Sequence, residues 1–342
     1  MLVYKQMTKR MKRKLVDSYG RIAKKLRVSV TDRCNMRCRY CMPKNNTKWF
    51  DSTEVITFEE IVRLSSIFAR MGVEKIRLTG GEPLLRPSIE SLIKSIAKIH
   101  HIKSIGLTTN GLLLLDKVEV LKSSGLDSVN ISLDSFKEDR FRMITGINGL
   151  NKVISSIQKA EDAGLDVKIN MVVVRGWNDD EVVEFANYAR RTGIAVRFIE
   201  FMPLDGTGIW RSELVFSKNE MVKKIESNIG NVSPLLEQKI SAPAKIYSFS
   251  DGVGTIGFIP SVTEPFCNQC DRIRLTSDGR FLTCLFESPG HDIKSYLRNG
   301  ASDEEIGQYL NHYMTMKQEG VVSLIRINGL KPKLNLMHTI GG

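Results

Sequence analysis

The sequence lacks any hydrophobic run near the ~20 residues that a membrane-spanning helix needs, and its N-terminus lacks the apolar segment of a signal peptide. With 342 residues, 42% of them hydrophobic, the chain can bury a large core, and its length suggests one large domain plus a smaller one. We therefore expect a cytoplasmic protein without a membrane partner. In that reducing compartment, clustered cysteines indicate a metal or redox site rather than disulfides.

No cysteine stands outside two groups of three, so none is left over for a disulfide. The two triads are Cys34, Cys38 and Cys41, and Cys267, Cys270 and Cys284. Iron–sulfur clusters are held by Cys thiolates, normally four per cluster, so three ligands leave one iron open to a small molecule. The triads therefore predict two 4Fe–4S clusters, one beside a cofactor and one beside a substrate.

Zinc is the alternative at each triad, because structural zinc is also bound by thiolates. Such a site usually has four protein ligands, and no fourth Cys or His lies near the first triad. The spacing of the second triad suits zinc better, with His291 as a possible fourth ligand.

Acidic residues are missing from residues 1–14, which carry six Lys or Arg and account for half of the net charge of +12. We expect a solvated, disordered basic arm there. An arm that touches RNA and an organelle transit peptide are the alternatives, although the arm is not rich in Ser and Arg as a transit peptide is. The remaining charge is scattered, so we do not expect a nucleic-acid surface.

Short strand-like runs alternate with amphipathic helical patterns in the first two thirds of the chain. The predicted strands lie near 25–30, 75–79, 104–109, 128–133, 166–174 and 195–201. A capping box at Thr57 predicts one of the helices between them. Six βα units in a row predict a parallel sheet with right-handed crossovers. Six is short of the eight strands of a closed barrel, so we predict an α/β fold with a partial, TIM-like (βα)6 barrel over 15–205.

The pattern changes after Phe201, and we predict a smaller α+β region over 206–342 that carries the second triad. A capping box at Ser217 begins a helix, 244–286 suggests hairpins, and 302–316 has a helical pattern. The tail over 327–342, which ends in Gly-Gly, is predicted to be extended.

Polar and glycine-rich motifs come directly after five of the six predicted strands. They are the first triad, Gly80-Gly81-Glu82-Pro83, Thr109-Asn110-Gly111, Ser132 with Asp134, and Met202-Pro203. The carboxyl ends of barrel strands carry the active site in barrel enzymes. These motifs therefore predict one site at that rim. The glycines would let a backbone approach a ligand, and Glu82 could accept a hydrogen bond from an ammonium group.

Basic residues recur where a barrel interior is normally apolar. The strand residues predicted to point inward are Arg27, Lys75, Arg77, Lys168 and Arg197. Arg272 and Arg274, two positions apart, follow Cys270. Any one of these could be a solvated surface charge. Several buried cations together cost too much without an anion, and a triphosphate would suit Arg and Lys.

The first triad with Tyr40 before its last cysteine, followed by Gly-Gly-Glu-Pro, resembles the radical S-adenosylmethionine (SAM) superfamily. The segments SVTDRCNMRCRYCMP, RLTGGEPLLR, LTTNG, SLDS, FIEFMP, CNQCDRIRLTSDGRFLTCL and the terminal Gly-Gly together resemble the GTP 3′,8-cyclases of molybdenum cofactor biosynthesis. The likeness runs from about Leu15 to Gly342, so only the basic arm lies outside it.

The resemblance implies a role for each matching residue. The first triad would hold the cluster that binds SAM, and the second triad an auxiliary cluster that binds guanine. The SAM site would be lined by Tyr40, Gly81, Glu82, Ser132 and Met202. The residues implied around GTP are Arg27, Lys75, Arg77, Thr108, Lys168, Arg197, Arg272, Ile273 and Arg274. Those implied to assist catalysis directly are Arg272, Arg274, Gly341 and Gly342.

The resemblance also implies a reaction, in which a 5′-deoxyadenosyl radical takes the C3′ hydrogen of GTP and C3′ then bonds to C8. A low-potential electron donor and a downstream pterin-forming enzyme would be partners. Another radical SAM enzyme, such as a peptide-modifying one, usually has more cysteines in its C-terminal region. An iron–sulfur or zinc RNA-binding protein would not need Gly80-Gly81-Glu82-Pro83 or Ser132.

Overall fold

The computed structural model describes residues 14–42, 48–204, 208–236, 241–320 and 337–341. The predicted basic arm, apart from Lys14, lies outside these ranges. So do Gly342 and residues 327–336 of the predicted extended tail.

Six parallel strands form the centre of the fold, as the alternating pattern predicts. They are β1 Lys25–Ser29, β2 Lys75–Thr79, β3 Ser104–Thr109, β4 Ser128–Ser132, β5 Asp166–Val173 and β6 Ala195–Glu200. Each pairs with the next in sequence order. Helices connect them, which is the arrangement expected when apolar strands are covered on their outer face.

Helices α1 to α6 join the strands of this parallel sheet. They are α1 Phe58–Arg70, α2 Ile89–Ala97, α3 Val118–Ser123, α4 Glu138–Thr145, α5 Leu150–Asp162 and α6 Val182–Thr192. The capping box predicted at Thr57 is present, with Thr57 and Glu60 each bonded to the other's backbone N–H. Ile61, Leu64 and Phe68 are fully buried on the inner face of α1.

The described part of the C-terminal region adds six strands to the same sheet. They are β7 Val232–Pro234, β8 Lys245–Phe249, β9 Thr255–Ile259, β10 Arg272–Leu275, β11 Arg280–Leu282 and β12 His291–Asp292. The strand order is β12-β11-β10-β1-β2-β3-β4-β5-β6-β9-β8-β7. Strands β10 and β9 lie parallel to β1 and β6, and antiparallel hairpins extend the sheet beyond each.

One sheet contains the strands on both sides of the predicted boundary near 205. The hairpins predicted over 244–286 are confirmed, but their strands extend the barrel sheet at both edges instead of forming a separate layer. The division into 15–205 and 206–342 therefore separates stretches of sequence that share one sheet.

Within the described residues, four α-helices belong to the C-terminal region. They are α7 Lys218–Asn228, α8 Ile293–Arg298, α9 Asp303–Thr315 and α10 Met337–Ile340. The capping boxes at Ser217 and Ser302 begin α7 and α9. The short helix α10 corrects the prediction of an extended tail for these residues, and His338 and Ile340 are buried in it. Among the helices in the described ranges, none is long and apolar enough to cross a bilayer.

Alternation along β1 sorts its side chains between two environments. Leu26 and Val28 are fully buried in the core between sheet and helices. Arg27 points to the other side, where it lines the central cavity. In the pairing with β10, Arg27 lies opposite Arg274, so the topology brings together two arginines about 250 positions apart in sequence.

Candidate functional site

One cavity of about 330 Å³ lies at the carboxyl ends of the strands, within the size range of ligand pockets. All six cysteines line it, although the two triads are more than 220 positions apart in the chain. The predicted site residues that also line it are Arg27, Tyr40, Gly81, Thr108, Ser132, Arg197, Met202, Arg272 and Arg274. The rim predicted from the motifs after the strands is therefore a single site.

The first triad lies on the loop after β1, and backbone hydrogen bonds fix the shape of that loop. The N–H groups of Cys41 and Met42 both donate to the carbonyl of Cys38 at 2.9 Å. Two further bonds, from the N–H groups of Arg37 and Arg39, tie the loop to the C-terminal end of α4. The thiols thus project from a loop that is held in place by a neighbouring helix.

Gly80 and Gly81 pack against this cysteine loop. A Cβ at Gly80 would lie 2.4 Å from the carbonyl oxygen of Thr31, and one at Gly81 would lie 2.3 Å from that of Arg33. The N–H of Gly81 donates to Thr31 at 2.8 Å. The sequence predicts that these glycines let a backbone approach a ligand. They also line the cavity, but the close approach in the structure is to the loop that carries the first triad.

Glu82 lies outside the lining of the cavity and is fully buried. Its carboxylate accepts hydrogen bonds from the Thr109 hydroxyl at 2.7 Å and from the N–H groups of Asn110 and Leu84 at 2.8 and 3.0 Å. Burial raises the pKa of Glu82 to about 7, although these three donors lower it. In the structure the Glu82 carboxylate joins the loops after β2 and β3. Its contact with an ammonium group stays a prediction.

Tyr40 has a partner that the sequence interpretation did not assign. Its hydroxyl donates to Asp134 at 2.6 Å, and Asp134 also accepts from the N–H of Val172 at 2.9 Å. Burial raises the pKa of Asp134 to about 6 against the effect of these bonds. Asp134, which follows β4, thereby fixes the ring of Tyr40, which lies between Cys38 and Cys41 in the sequence.

The second triad spans the start of β10 and the turn after β11. The guanidinium of Arg272 lies 3.5 Å from the sulfur of Cys270. Burial alone would raise the pKa of the Cys270 thiol, but the positive charges of Arg272 and Lys317 lower it to about 7. A cationic surrounding of this kind favours the thiolate, which is the form that binds metals.

Arginines concentrate positive charge at the base of the cavity. Desolvation lowers the pKa of Arg27 well below its ordinary value, and the charges of Arg274, Arg272, Arg77 and Arg197 lower it further. Burial and Arg272 lower the pKa of Arg274 to about 10. Burial and the charge of Arg197 also lower the pKa of Arg77 to about 10. Like charges held this close in a partly desolvated space favour binding of a polyanion.

Three other cations predicted around the substrate lie outside the cavity lining. Lys75 is exposed at the amino end of β2. Arg77 lies beneath Gly106, where a Cβ would be 2.6 Å from the guanidinium, and it donates to the carbonyl of Leu107 at 2.9 Å. Lys168 forms an ion pair with Asp166. Lys75 is the first residue of its strand, whereas Arg77 and Lys168 lie in register with the cavity-lining residues Arg27 and Asn130 but are turned toward the partners named above. Their charges reach the cavity although their side chains do not line it.

Ile273 is the other correction. It alternates with Arg272 and Arg274 along β10, so its side chain points away from the cavity and is fully buried in the core. Its side chain therefore supports the strand that carries both arginines.

Two asparagines of the cavity went unnoticed in the sequence interpretation. Asn130 on β4 and Asn170 on β5 line it, and within the described residues the Oδ1 atoms of both are buried without a hydrogen-bond partner. Buried amide oxygens are normally satisfied, so these indicate a polar ligand. The sequence does carry a signal for them, because each is a polar residue on the inward face of its strand, like Arg27.

The tail reaches into the same cavity. The guanidinium of Arg274 donates to the carbonyl of Gly341. A Cβ at Gly341 would lie 2.5 Å from the methyl group of Thr79, and the φ of +76° also favours glycine. His338 lines the cavity and contacts the ring of Trp49 with centroids 5.5 Å apart. The described end of the tail is thus part of the cavity wall.

Comparisons with known proteins agree with this geometry. The radical SAM superfamily model matches residues 28–189, and the family described as Molybdenum Cofactor Synthesis C matches residues 194–322. A GTP 3′,8-cyclase of Thermodesulfovibrio yellowstonii is 42% identical over 328 residues, which cover 95% of this chain and 99% of that protein. The chain belongs to the GTP 3′,8-cyclase family. A relative of the same name from Staphylococcus epidermidis is 39% identical, with 97% of this chain and 100% of that protein covered.

Solved structures support the fold assigned to this member of the GTP 3′,8-cyclase family. Streptococcus suis SuiB aligns with a TM-score of 0.59 at 15% identity, over 85% of this chain and 69% of that one. The protein anSMEcpe, solved with bound AdoMet, aligns with a TM-score of 0.50 at 18% identity, over 60% of this chain and 57% of that one. Both likenesses concern the fold alone.

The donor set of this GTP 3′,8-cyclase family member fits iron–sulfur clusters. Each triad presents three cysteines to the cavity, none of them in a disulfide. Within the described ranges, no three His, Cys, Asp or Glu side chains are close enough together to hold a single metal ion. A 4Fe–4S cluster needs its thiolates spread over separate irons, whereas zinc draws them to one centre. His291, the candidate fourth zinc ligand, instead lies 2.7 Å from Glu287 and stacks on Tyr313.

Proposed function

We propose that this chain converts GTP to (8S)-3′,8-cyclo-7,8-dihydroguanosine 5′-triphosphate, the first step of molybdenum cofactor biosynthesis, as a radical SAM lyase. The observation that carries the proposal is that two cysteine triads and four arginines, Arg27, Arg197, Arg272 and Arg274, line one cavity. A peptide-modifying radical SAM enzyme would need the first triad, but it would have no use for several arginines in a confined space.

The first triad would hold the cluster that binds SAM. Tyr40, Gly81, Ser132 and Met202 line the cavity on that side, and Glu82 supports the loop behind them. When bound, this cluster and SAM would supply a 5′-deoxyadenosyl radical, the species that would take the C3′ hydrogen of GTP. The protein's part is to orient the two molecules and to exclude water from a reactive carbon centre.

The second triad would hold the auxiliary cluster, with guanine beside it and the triphosphate toward the arginines. Arg272 and Arg274 extend from β10, which begins two residues after Cys270, so one short strand would hold both ends of the nucleotide. Thr108, Asn130 and Asn170 would supply neutral hydrogen-bonding groups along the opposite wall. Lys75, Arg77 and Lys168 would add to the positive potential from outside the lining.

Gly341 and Gly342 would complete the chamber. Gly341 already contacts Arg274, so the tail is placed to hold the guanidinium that would meet the substrate. The reaction also needs a low-potential electron donor, and its product would be used by a pterin-forming enzyme. We place the protein in the cytoplasm, because thiolate-bound clusters form and persist in a reducing compartment.

An anaerobic assay tests this proposal. The protein, reconstituted with iron and sulfide, is incubated with SAM, dithionite and GTP, and methionine, 5′-deoxyadenosine and the cyclised nucleotide are measured by mass spectrometry. GTP deuterated at C3′ should transfer deuterium to 5′-deoxyadenosine. ATP in place of GTP and the Arg274→Ala variant are the controls. Cleavage of SAM without any GTP-derived product or deuterium transfer in the wild-type protein would contradict the proposal.

A further inference from the structure

The segment 317–320 follows α9 and lies directly against the second triad. A Cβ at Gly320 would be 2.3 Å from the Cβ of Cys267 and 2.9 Å from its sulfur. Contacts that close do not occur between real atoms, so only glycine fits here without a shift of the cysteine. The backbone of this segment therefore forms one wall of the second triad's site.

Lys317 enters the same region from the start of the segment. Its ammonium group donates to the carbonyl oxygens of Cys270 and Arg272, each at 3.1 Å. The residue is 4% exposed, which is rare for lysine and costly unless the charge is compensated. Two of its donors are used to hold the short stretch between a cysteine ligand and an arginine of the cavity.

Asp17 and Arg21 hold the segment from behind. Arg21 donates to a carboxylate oxygen of Asp17 at 2.6 Å, and its other nitrogens donate to the carbonyls of Cys267 at 2.8 Å and Gln318 at 2.7 Å. A third carbonyl, that of Glu319, also accepts from Arg21. One buried guanidinium thus connects the loop of the second triad to the segment 317–320.

The charges of this group do not cancel. Asp17 is paired closely with Arg21, while its carboxylate is 3.9 Å from the ammonium group of Lys317. Two buried cations and one carboxylate leave one net positive charge beside Cys270. The buried carboxylate of Asp271, next to Cys270, is paired with Lys25 at 2.9 Å. The charge of Lys317 acts on the thiols of Cys270 and Cys284, and a cluster held there would gain further negative charge whenever it took up an electron.

We propose that Lys317, held in place by Asp17 and Arg21, is a positioning residue and, beside Arg272, a buried counter-charge of the second iron–sulfur site. Its hydrogen bonds set the backbone between Cys270 and Arg272, and its charge favours the reduced, more negative state of the cluster. Net charge and surrounding dipoles are among the factors that set the potentials of such clusters. The inference rests on the proposed function, since it requires a cluster at the second triad.

The test is a redox titration of the second cluster, followed by electron paramagnetic resonance, in the Cys38→Ala background so that the first cluster does not contribute. Three substitutions separate charge from hydrogen bonding: Lys317→Met removes both, Lys317→Gln keeps a donor without charge, and Lys317→Arg keeps both. Lys223→Met, on the exposed side of α7, is the matched control. Iron content and circular dichroism are recorded for every variant.

We expect the midpoint potential to fall in Lys317→Met and Lys317→Gln and to stay near the parent value in Lys317→Arg and Lys223→Met. Iron bound at the second triad should fall most in Lys317→Met. An unchanged potential in a folded, cluster-bearing Lys317→Gln variant would overturn the inference while leaving the proposed function intact. If the parent Cys38→Ala protein binds no cluster at the second triad, both the inference and the proposed function fail.

Discussion

The guanidinium of Arg274 donates a hydrogen bond to the backbone carbonyl of Gly341. This buried bond connects strand β10, whose Arg274 lines the cavity, to the described end of the tail. A C-terminal tail is ordinarily frayed, so a buried contact of this kind needs a reason. The reason we infer is that the tail holds Arg274 in the orientation that the triphosphate requires.

Gly341→Ala should therefore abolish most GTP cyclisation and leave SAM binding and both clusters in place. The added methyl group would meet Thr79 at 2.5 Å, and the φ of +76° adds backbone strain. Anaerobic product analysis measures the loss, and SAM cleavage without product should persist, because the radical would form beside a misplaced target.

Gly193→Ala is the matched control, because Gly193 has a φ of +77° with nothing within 4 Å of the added methyl group. Gly193→Ala should have only the backbone strain of a positive φ, about 1 kcal/mol, and should cyclise GTP at the normal rate. If Gly341→Ala cyclises GTP at the wild-type rate, the tail has no part in the reaction.

Each triad should hold half of the iron. Cys38→Ala should lose about half of the iron and sulfide and all SAM cleavage, because the open iron that binds SAM would be gone. Cys270→Ala should lose the other half and keep the ability to cleave SAM. Iron and sulfide assays after anaerobic reconstitution measure both. One zinc ion per triad, or full iron retention in either variant, would count against this assignment.

The parallel strands could be predicted from the sequence because their signals are local. The run KLRVSV predicts 25–30 and forms β1 Lys25–Ser29, and KIRLT forms β2 Lys75–Thr79 as predicted. The capping box at Thr57 likewise depends on residues within one helical turn. Motifs after the strands converge on one rim because parallel strands share a direction, so the location of the site followed from the same local pattern.

Long-range pairing could not be predicted in this way. Strand β10 pairs with β1 from about 250 residues away, and nothing near Arg272 in the sequence states which edge its strand will join. The hydrogen bonds from Lys317 to the carbonyls of Cys270 and Arg272 could not be predicted for the same reason, because they join residues more than 40 positions apart. Burial was also misjudged where alternation alone was used, since Lys75 faces the interior side but lies at the solvent-exposed end of β2.

Arg27→Met should stabilise the ligand-free protein and weaken nucleotide binding. The lowered pKa means that protonated Arg27 is less stable in the folded chain than in the unfolded chain. Arginine stays protonated at neutral pH, so the cost is fully present there and its removal should raise Tm. Inorganic triphosphate should raise the Tm of the wild-type protein more than that of Arg27→Met.

Differential scanning calorimetry with and without triphosphate measures both effects. Arg191→Met, which removes an exposed arginine of α6, is the control and should change neither value. A lower ligand-free Tm in Arg27→Met would mean that packing of the arginine stem outweighs the repulsion.

Glu200 joins three parts of the fold at the end of β6, two residues before Met202. It is 1% exposed. One carboxylate oxygen accepts from the N–H of Lys218 and the hydroxyl of Thr263, and the other accepts from the N–H groups of Val262 and Thr263. All four groups are donors, so both oxygens are needed.

Glu200→Gln should therefore destabilise the protein although it changes hardly any volume. The new amide NH₂ would face N–H donors whichever way it turned, and buried donors left unsatisfied cost roughly 1–3 kcal/mol. The loop that leads to Cys267 begins at the residues released, so iron at the second triad should also become easier to remove. Thermal melts and iron loss to a chelator, followed over time, measure the two effects.

Glu184→Gln, at an exposed position of α6, is the control and should alter neither stability nor iron loss. The two measurements also separate two roles of Glu200. A lower Tm with unchanged iron loss would confine Glu200 to supporting α7, because only its bond to Lys218 concerns that helix. Faster iron loss at the second triad, with the first triad unaffected, would link the end of the barrel's sixth strand to the auxiliary cluster.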